Sequence, residues 1–142
     1  MRRSQDREQA ALVAAWLEFH PTYGLRAMVL NASPAPVYDV TVNFHSHSRH
    51  EREYMAILLP DRSHVDLAGL SASIGEAVAQ RPSILEAWVA QSEGVTLAQE
   101  KTEAQSPIGL TINFHDGAGR CWTRELNGEL TGPDERPRLS KY

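Results

Sequence analysis

The chain holds a single cysteine, Cys121, so no disulfide can close within it. Cohesion must come from burial and hydrogen bonding, which fits a reducing, cytoplasmic setting. Long apolar runs are missing too. No stretch of about 18 apolar residues occurs, so no membrane-spanning helix is expected. The arginines near the start are followed by the polar "SQDREQ", not by the apolar core of a secretion signal. Positive charge is scarce, with 14 basic residues against 18 acidic ones and a net charge of −4. A nucleic-acid partner would need a positive face, so none is expected. Glycine-rich phosphate loops are lacking, because "GAG" lies between two strand-like segments with no helix after it. No serine sits in a G-x-S-x-G elbow. These absences leave no catalytic or cofactor-binding set and no cofactor to expect, and the protein reads as a non-enzyme.

What is present is alternation. The 142 residues suffice for one domain with a real core, expected over 1–130, with 131–142 as a flexible tail. Ser4 to Ala11 reads as a short helix capped by Ser4. The next run, "ALVAAWLEFH", suits a helix or a strand and is closed by Pro21. "YGLRAMVLN" alternates, and so does "VYDVTVNF", with Tyr38, Val40, Val42 and Phe44 on one face. "EYMAILLP" and a short "HVDL" are further strand candidates. "IGLTINFHDGAGRCWTREL" reads as two strands around "DGAG", with Ile108, Leu110, Ile112 and Phe114 on one face. Gly117 and Gly119 can supply the positive φ that a tight connection needs. Six or seven short strands, each with one apolar face, predict a mainly β, antiparallel two-sheet immunoglobulin-like sandwich.

One block breaks the pattern. Ser71 to Gly94 is rich in alanine and helix formers. Ser73 with Glu76, and Ser83 with Glu86, have the spacing of capping boxes. "TLAQEKTEAQSP" reads as a polar connector. A helical or loop insertion is therefore expected around 71–105. It is expected to be separable, so that removing Ala72 to Glu103 leaves a folded sandwich.

"VTVNFHSHSRH" places three histidines in six residues. His45 and His47 on one strand would lie about 6.5 Å apart along the chain, close enough to share a zinc ion. Further ligands would come from His50, Glu51, Glu53 or His115. If "TVNFH" and "TINFH" pair antiparallel, His115 falls at the far end and drops out. The alternative site is then His45, His47, His50 and Glu51. The spacing resembles the first metal motif of cupins, but Asp39 and Leu58 stand where its glycines would be. The bland reading is a solvated strand end, and it is the one preferred here: no metal is expected. Trp16, Trp88 and Trp122 read as packing residues, and Cys121 as a small packing or surface residue.

Two segments carry a resemblance. Asn31, Ser33, Pro36, Val37, Tyr38, Asp39 and Val40, and later Phe114, Asp116, Gly119, Trp122, Arg124, Gly128 and Leu130, fit N-x-S-x-x-P-V-Y-D-V and F-x-D-x-x-G-x-x-W-x-R-x-x-x-G-x-L patterns. In this the chain resembles actinobacterial β-sandwich proteins of immunoglobulin-like type, which have no established activity. In those proteins the sandwich often follows helical or transmembrane segments. The resemblance implies structural rather than catalytic roles for Asn31, Pro36, Tyr38, Asp116, Gly119 and Trp122. On chemistry alone, Asn31 and Ser33 can fix the turn into Pro36, Tyr38 faces the core, and Arg124 can pair with Asp39. The expected function is a protein-interaction or scaffold module that binds through loops or an open sheet edge, with the 71–105 block as the favoured surface. A homodimer is a further reading, built on an amphipathic N-terminal helix.

Overall fold

Leu25, Ala27 and Val29 lie at every second position and are almost wholly buried, as the alternation requires of a strand with one face on a core. The computed structural model describes residues 7–46, 49–61, 63–92 and 108–133. A helical segment over 7–10 (α1) leads into β1 (Val13–His20) and β2 (Gly24–Asn31). Then come β3 (Val37–His45), β4 (His50–Leu58) and β5 (Val65–Asp66). Two helices follow, α2 (Ala68–Gln80) and α3 (Ser83–Ser92), and then β6 (Gly109–His115), β7 (Cys121–Arg124) and β8 (Leu130–Thr131). Ser4 to Asp6, the connector from Thr96 to Pro107 and the tail from 134 lie outside the described residues. Thr131 belongs to β8, not to a tail, because it pairs with Thr123.

The strands form two antiparallel sheets, ordered β1-β2-β5 and β4-β3-β6-β7-β8. This is a mainly β, antiparallel two-sheet sandwich, as the alternation predicts. The ambiguous run after α1 is a strand because it pairs with β2 over its whole length, from Val13↔Asn31 to His20↔Gly24. That pairing overrides the helix preference of its alanines. β3 and β6 pair antiparallel, with His45 opposite Gly109 and Tyr38 opposite His115.

Two expectations are corrected by the backbone. Asp39 has φ 49, and the pairing of β3 with β6 slips by one residue between Tyr38↔His115 and Thr41↔Asn113. This bulge shifts the alternation by one residue. Val37 is buried in consequence, whereas Tyr38 is 37% exposed and does not face the core. Of the two hairpin glycines, Gly119 has φ +82, while Gly117 is not among the glycines with positive φ.

The middle block is helical, but it is not an appendage. Leu70, Ile74, Ala77, Ile84 and Ala87 are buried in the same cluster as Val29, Val40, Phe44 and Phe114. α2 packs on β2 and β4, one strand from each sheet, and closes that side of the sandwich. This packing argues against the expected separability. Nor do the expected capping boxes start the helices. Ser73 lies inside α2, and Ser83 is already the first residue of α3. α2 is capped from another element: Glu53 Oε1 on β4 accepts the Leu70 amide at 2.7 Å. The α3 amides of Leu85 and Glu86 reach the Pro82 carbonyl.

Candidate functional site

The outer end of the β3–β4 hairpin gathers the polar residues that the core excludes. Phe44 and Val42 point inward and are fully buried. Their neighbours Asn43 and His45 must therefore point outward. Register places Arg52 opposite Asn43 and His50 opposite His45, so all four share the outer face. The His45 and His50 rings stand edge to face, with centroids 5.2 Å apart. His45 Nε2 lies 3.0 Å from the hydroxyl of Thr111 on β6. Together with Phe44 and Glu51, these four residues line an open cleft of about 320 Å³. Partial burial, and then the neighbouring His50, hold the His45 imidazole below its ordinary value, which keeps it neutral near pH 7.

The residues named for a metal do not all converge here. His45 and His50 meet, and His47 lies outside the described residues. Glu51 is opposite Phe44, on the inner side of the pleat, and is ion-paired with Arg49 Nε at 2.7 Å. Glu53 is committed to the start of α2. His115 pairs with Tyr38, on the order of 20 Å along the sheet from His45. Among the described residues, no three His, Cys, Asp or Glu side chains are grouped so as to hold a metal ion. Arg52 was missed by the reading of the sequence. The signal for it was present in the period of two that places His50, Arg52 and Tyr54 on one face.

The residues of the resemblance take up positions at the joints of the fold. Asn31 is 1% exposed and bridges the sheets: its Nδ2 donates to the carbonyls of Ala35 and Leu58, at 2.9 and 3.0 Å. Its Oδ1 accepts from the amide and hydroxyl of Ser33, which fixes the turn into Pro36. Asp116, also buried, accepts the amides of Ala118 and Arg120 on one oxygen and the Trp122 indole N–H on the other. Trp122 is packed so closely that a Cβ built on Gly132 would stand 2.7 Å from its ring. Arg124 does not pair with Asp39. It donates to the carbonyls of Ala11, Val13 and Gly128 instead, tying β7 to the start of β1. Asp39 accepts the Tyr54 hydroxyl at 2.7 Å. Cys121 is exposed at the start of β7. Trp16 stacks edge-on with His64, and Trp88 packs against the core.

No family model matches the sequence, and no curated protein or solved structure matches it either. Among the described residues, no helix is long and apolar enough to cross a membrane.

Proposed function

We propose that the chain is a non-catalytic protein-interaction module that takes an extended segment of its partner on the free edge of β4. The observation that supports this is the edge itself. β4 is nine residues long and ends the order of its sheet. The Ser46 amide donates to the Arg49 carbonyl and closes the hairpin. Counting on by two, Glu51, Glu53 and Met55 turn their backbone groups toward β3, and His50, Arg52 and Tyr54 turn theirs outward. Among the described residues, nothing in the protein pairs with those outward groups. Beyond them stand exposed apolar side chains: Tyr54 at 60%, Ile57 at 45% and Leu59 at 62%. An unpaired edge with apolar flanks is the template that strand addition uses. The 71–105 block is a weaker surface, since the inner faces of both its helices are spent on the core.

Tyr54→Pro tests this reading. The Tyr54 amide is not used in the ladder with β3, so proline at this edge position leaves the fold intact. A pull-down from the native cell should recover a partner with the wild-type chain and with Tyr54→Phe, and lose it with Tyr54→Pro. Circular dichroism should confirm that all three chains are folded. Retention of the partner by the folded proline variant would refute strand addition. Kinship with the actinobacterial sandwich proteins and a cytoplasmic setting belong to the same proposal. They rest on the two sequence segments and on the lone, exposed thiol of Cys121.

A further inference from the structure

We propose that the outer end of the β3–β4 hairpin is a binding site for a tetrahedral oxyanion of the sulfate or phosphate class, held by Arg52, His50, His45 and Asn43. This does not depend on strand addition, because it concerns side chains on the outer face and not the backbone edge. Four observations lead to it. The cleft of about 320 Å³ is large enough for such an ion and a ligand attached to it. Arg52 is exposed in that cleft and, among the described residues, its guanidinium has neither a carboxylate partner nor a hydrogen bond. That is unusual in a chain with 18 acidic and 14 basic residues. The nearby carboxylates are all engaged elsewhere: Glu51 with Arg49, Glu53 with the Leu70 amide, and Asp39 with Tyr54 at the far end of the strand. The remaining polar groups, the two imidazoles and the Asn43 amide, are hydrogen-bond donors or can become so.

The same set fits a cation poorly. A guanidinium beside two imidazoles opposes a dication, and the one acidic lining residue already holds an arginine. A guanidinium presents paired N–H groups at the spacing of two oxyanion oxygens. The charged and titratable groups facing the cleft are few. β3 contributes His45, and β4 contributes His50, Arg52 and Glu51, whose carboxylate is neutralised by Arg49. β6 presents the neutral Thr111 at this end, with His115 at the other. α2 meets the hairpin through Gln80 and Glu76, both directed at Arg49. At neutral pH, Arg52 supplies the fixed positive charge while His45 is neutral. In acid, His45 gains a proton and the site becomes more positive, so anion affinity rises. By reciprocity, a bound anion raises the pH at which His45 titrates.

The test is a titration of the isotope-labelled full chain with sodium sulfate, followed by NMR at constant ionic strength. Sulfate keeps its charge over the range used. Amide shifts should saturate and be confined to 43–46 and 49–52. Affinity should rise several-fold between pH 7.5 and 5.5, and the His45 titration midpoint should move up when sulfate is present. Arg52→Gln should weaken binding at least tenfold and His50→Gln several-fold. Arg120→Gln, at the opposite end of the sheet, should change nothing. Methyl phosphate and acetate separate the sources. Tighter binding of methyl phosphate than of sulfate points to an esterified phosphate as the natural ligand, and weaker binding points to a free oxyanion. Preference for acetate over both would overturn the tetrahedral assignment. Unsaturating shifts spread over the surface, or binding unchanged in Arg52→Gln, would overturn the site.

Discussion

The buried side-chain amide of Asn31 links the two sheets. Asn31 sits at the end of β2, yet it donates to Leu58 at the end of β4 and to Ala35 in the turn between sheets. Replacing it with alanine leaves two buried carbonyls without their donor and frees Ser33. A buried group stripped of its partner costs about 1–3 kcal/mol. Asn31→Ala should therefore lower the urea midpoint by a corresponding amount with the slope unchanged. Asn31→Asp should be at least as damaging, since a carboxylate cannot donate to either carbonyl. The importance of Asn31 was legible in the sequence through the short spacing to Ser33 and Pro36. Its reach to Leu58 was not, because nothing local connects positions 27 residues apart. Tyr38 shows the opposite failure. Strict alternation assigns it to the core, but Asp39 adopts φ 49 and turns it out. A single-residue bulge leaves no mark in a hydrophobic pattern.

At the scale of elements, α2 occupies the flank where sheet β1-β2-β5 is short. β5 has only two residues, and its continuation is replaced by side chains of the helix. The Leu67 amide still reaches the Ala27 carbonyl, but the Ala27 amide is satisfied by the Ser71 hydroxyl at 2.8 Å. That hydroxyl donates in turn to Asp66, which also holds Arg26 at 2.8 Å. Burial pulls the Asp66 carboxyl upward, but the bonds from Arg26 and Ser71 outweigh it and leave it below its ordinary value. Helix and sheet are thus one hydrogen-bonded unit. Ile74 is fully buried within it. Ile74→Ala should cost about 2–5 kcal/mol by the usual transfer and cavity terms, measured by urea unfolding. If it is nearly neutral, the block is an appendage after all. Sequence reading found the helices from their composition but misplaced their starts, because the cap on α2 comes from Glu53 on a distant strand.

The whole molecule is closed differently on its two flanks. On one, α2 bridges β2 and β4. On the other, Arg124 reaches from β7 to the carbonyls of Ala11 and Val13, and Arg7 reaches from α1 to the Leu130 carbonyl. Burial holds the Arg124 guanidinium below its ordinary value, but it remains a cation at any ordinary pH. Arg124→Met should cost about 1–3 kcal/mol through the lost charge-assisted bonds. Its signature should be local: faster amide exchange at the start of β1, with β3 and β6 protected as before. Uniform loss of protection would show that the clamp serves the whole core. The two-sheet plan itself was legible from the alternation in β2, β3 and β6. The hairpin cluster was legible only as histidines, because charge and partner choice at Arg52, Glu51 and Glu53 depend on which way each strand faces.

The order in which the strands meet has a consequence for biogenesis. β3 is the second strand in from the edge of the larger sheet, but its inner neighbour β6 is synthesised some 66 residues later, as the separation of His45 and Thr111 shows. Until then a nascent chain displays one side of a valine-rich ribbon with no mate. Distant pairings of this sort form slowly and leave sticky intermediates behind. The growing polypeptide therefore passes through an interval on the ribosome in which that ribbon lacks its later neighbour.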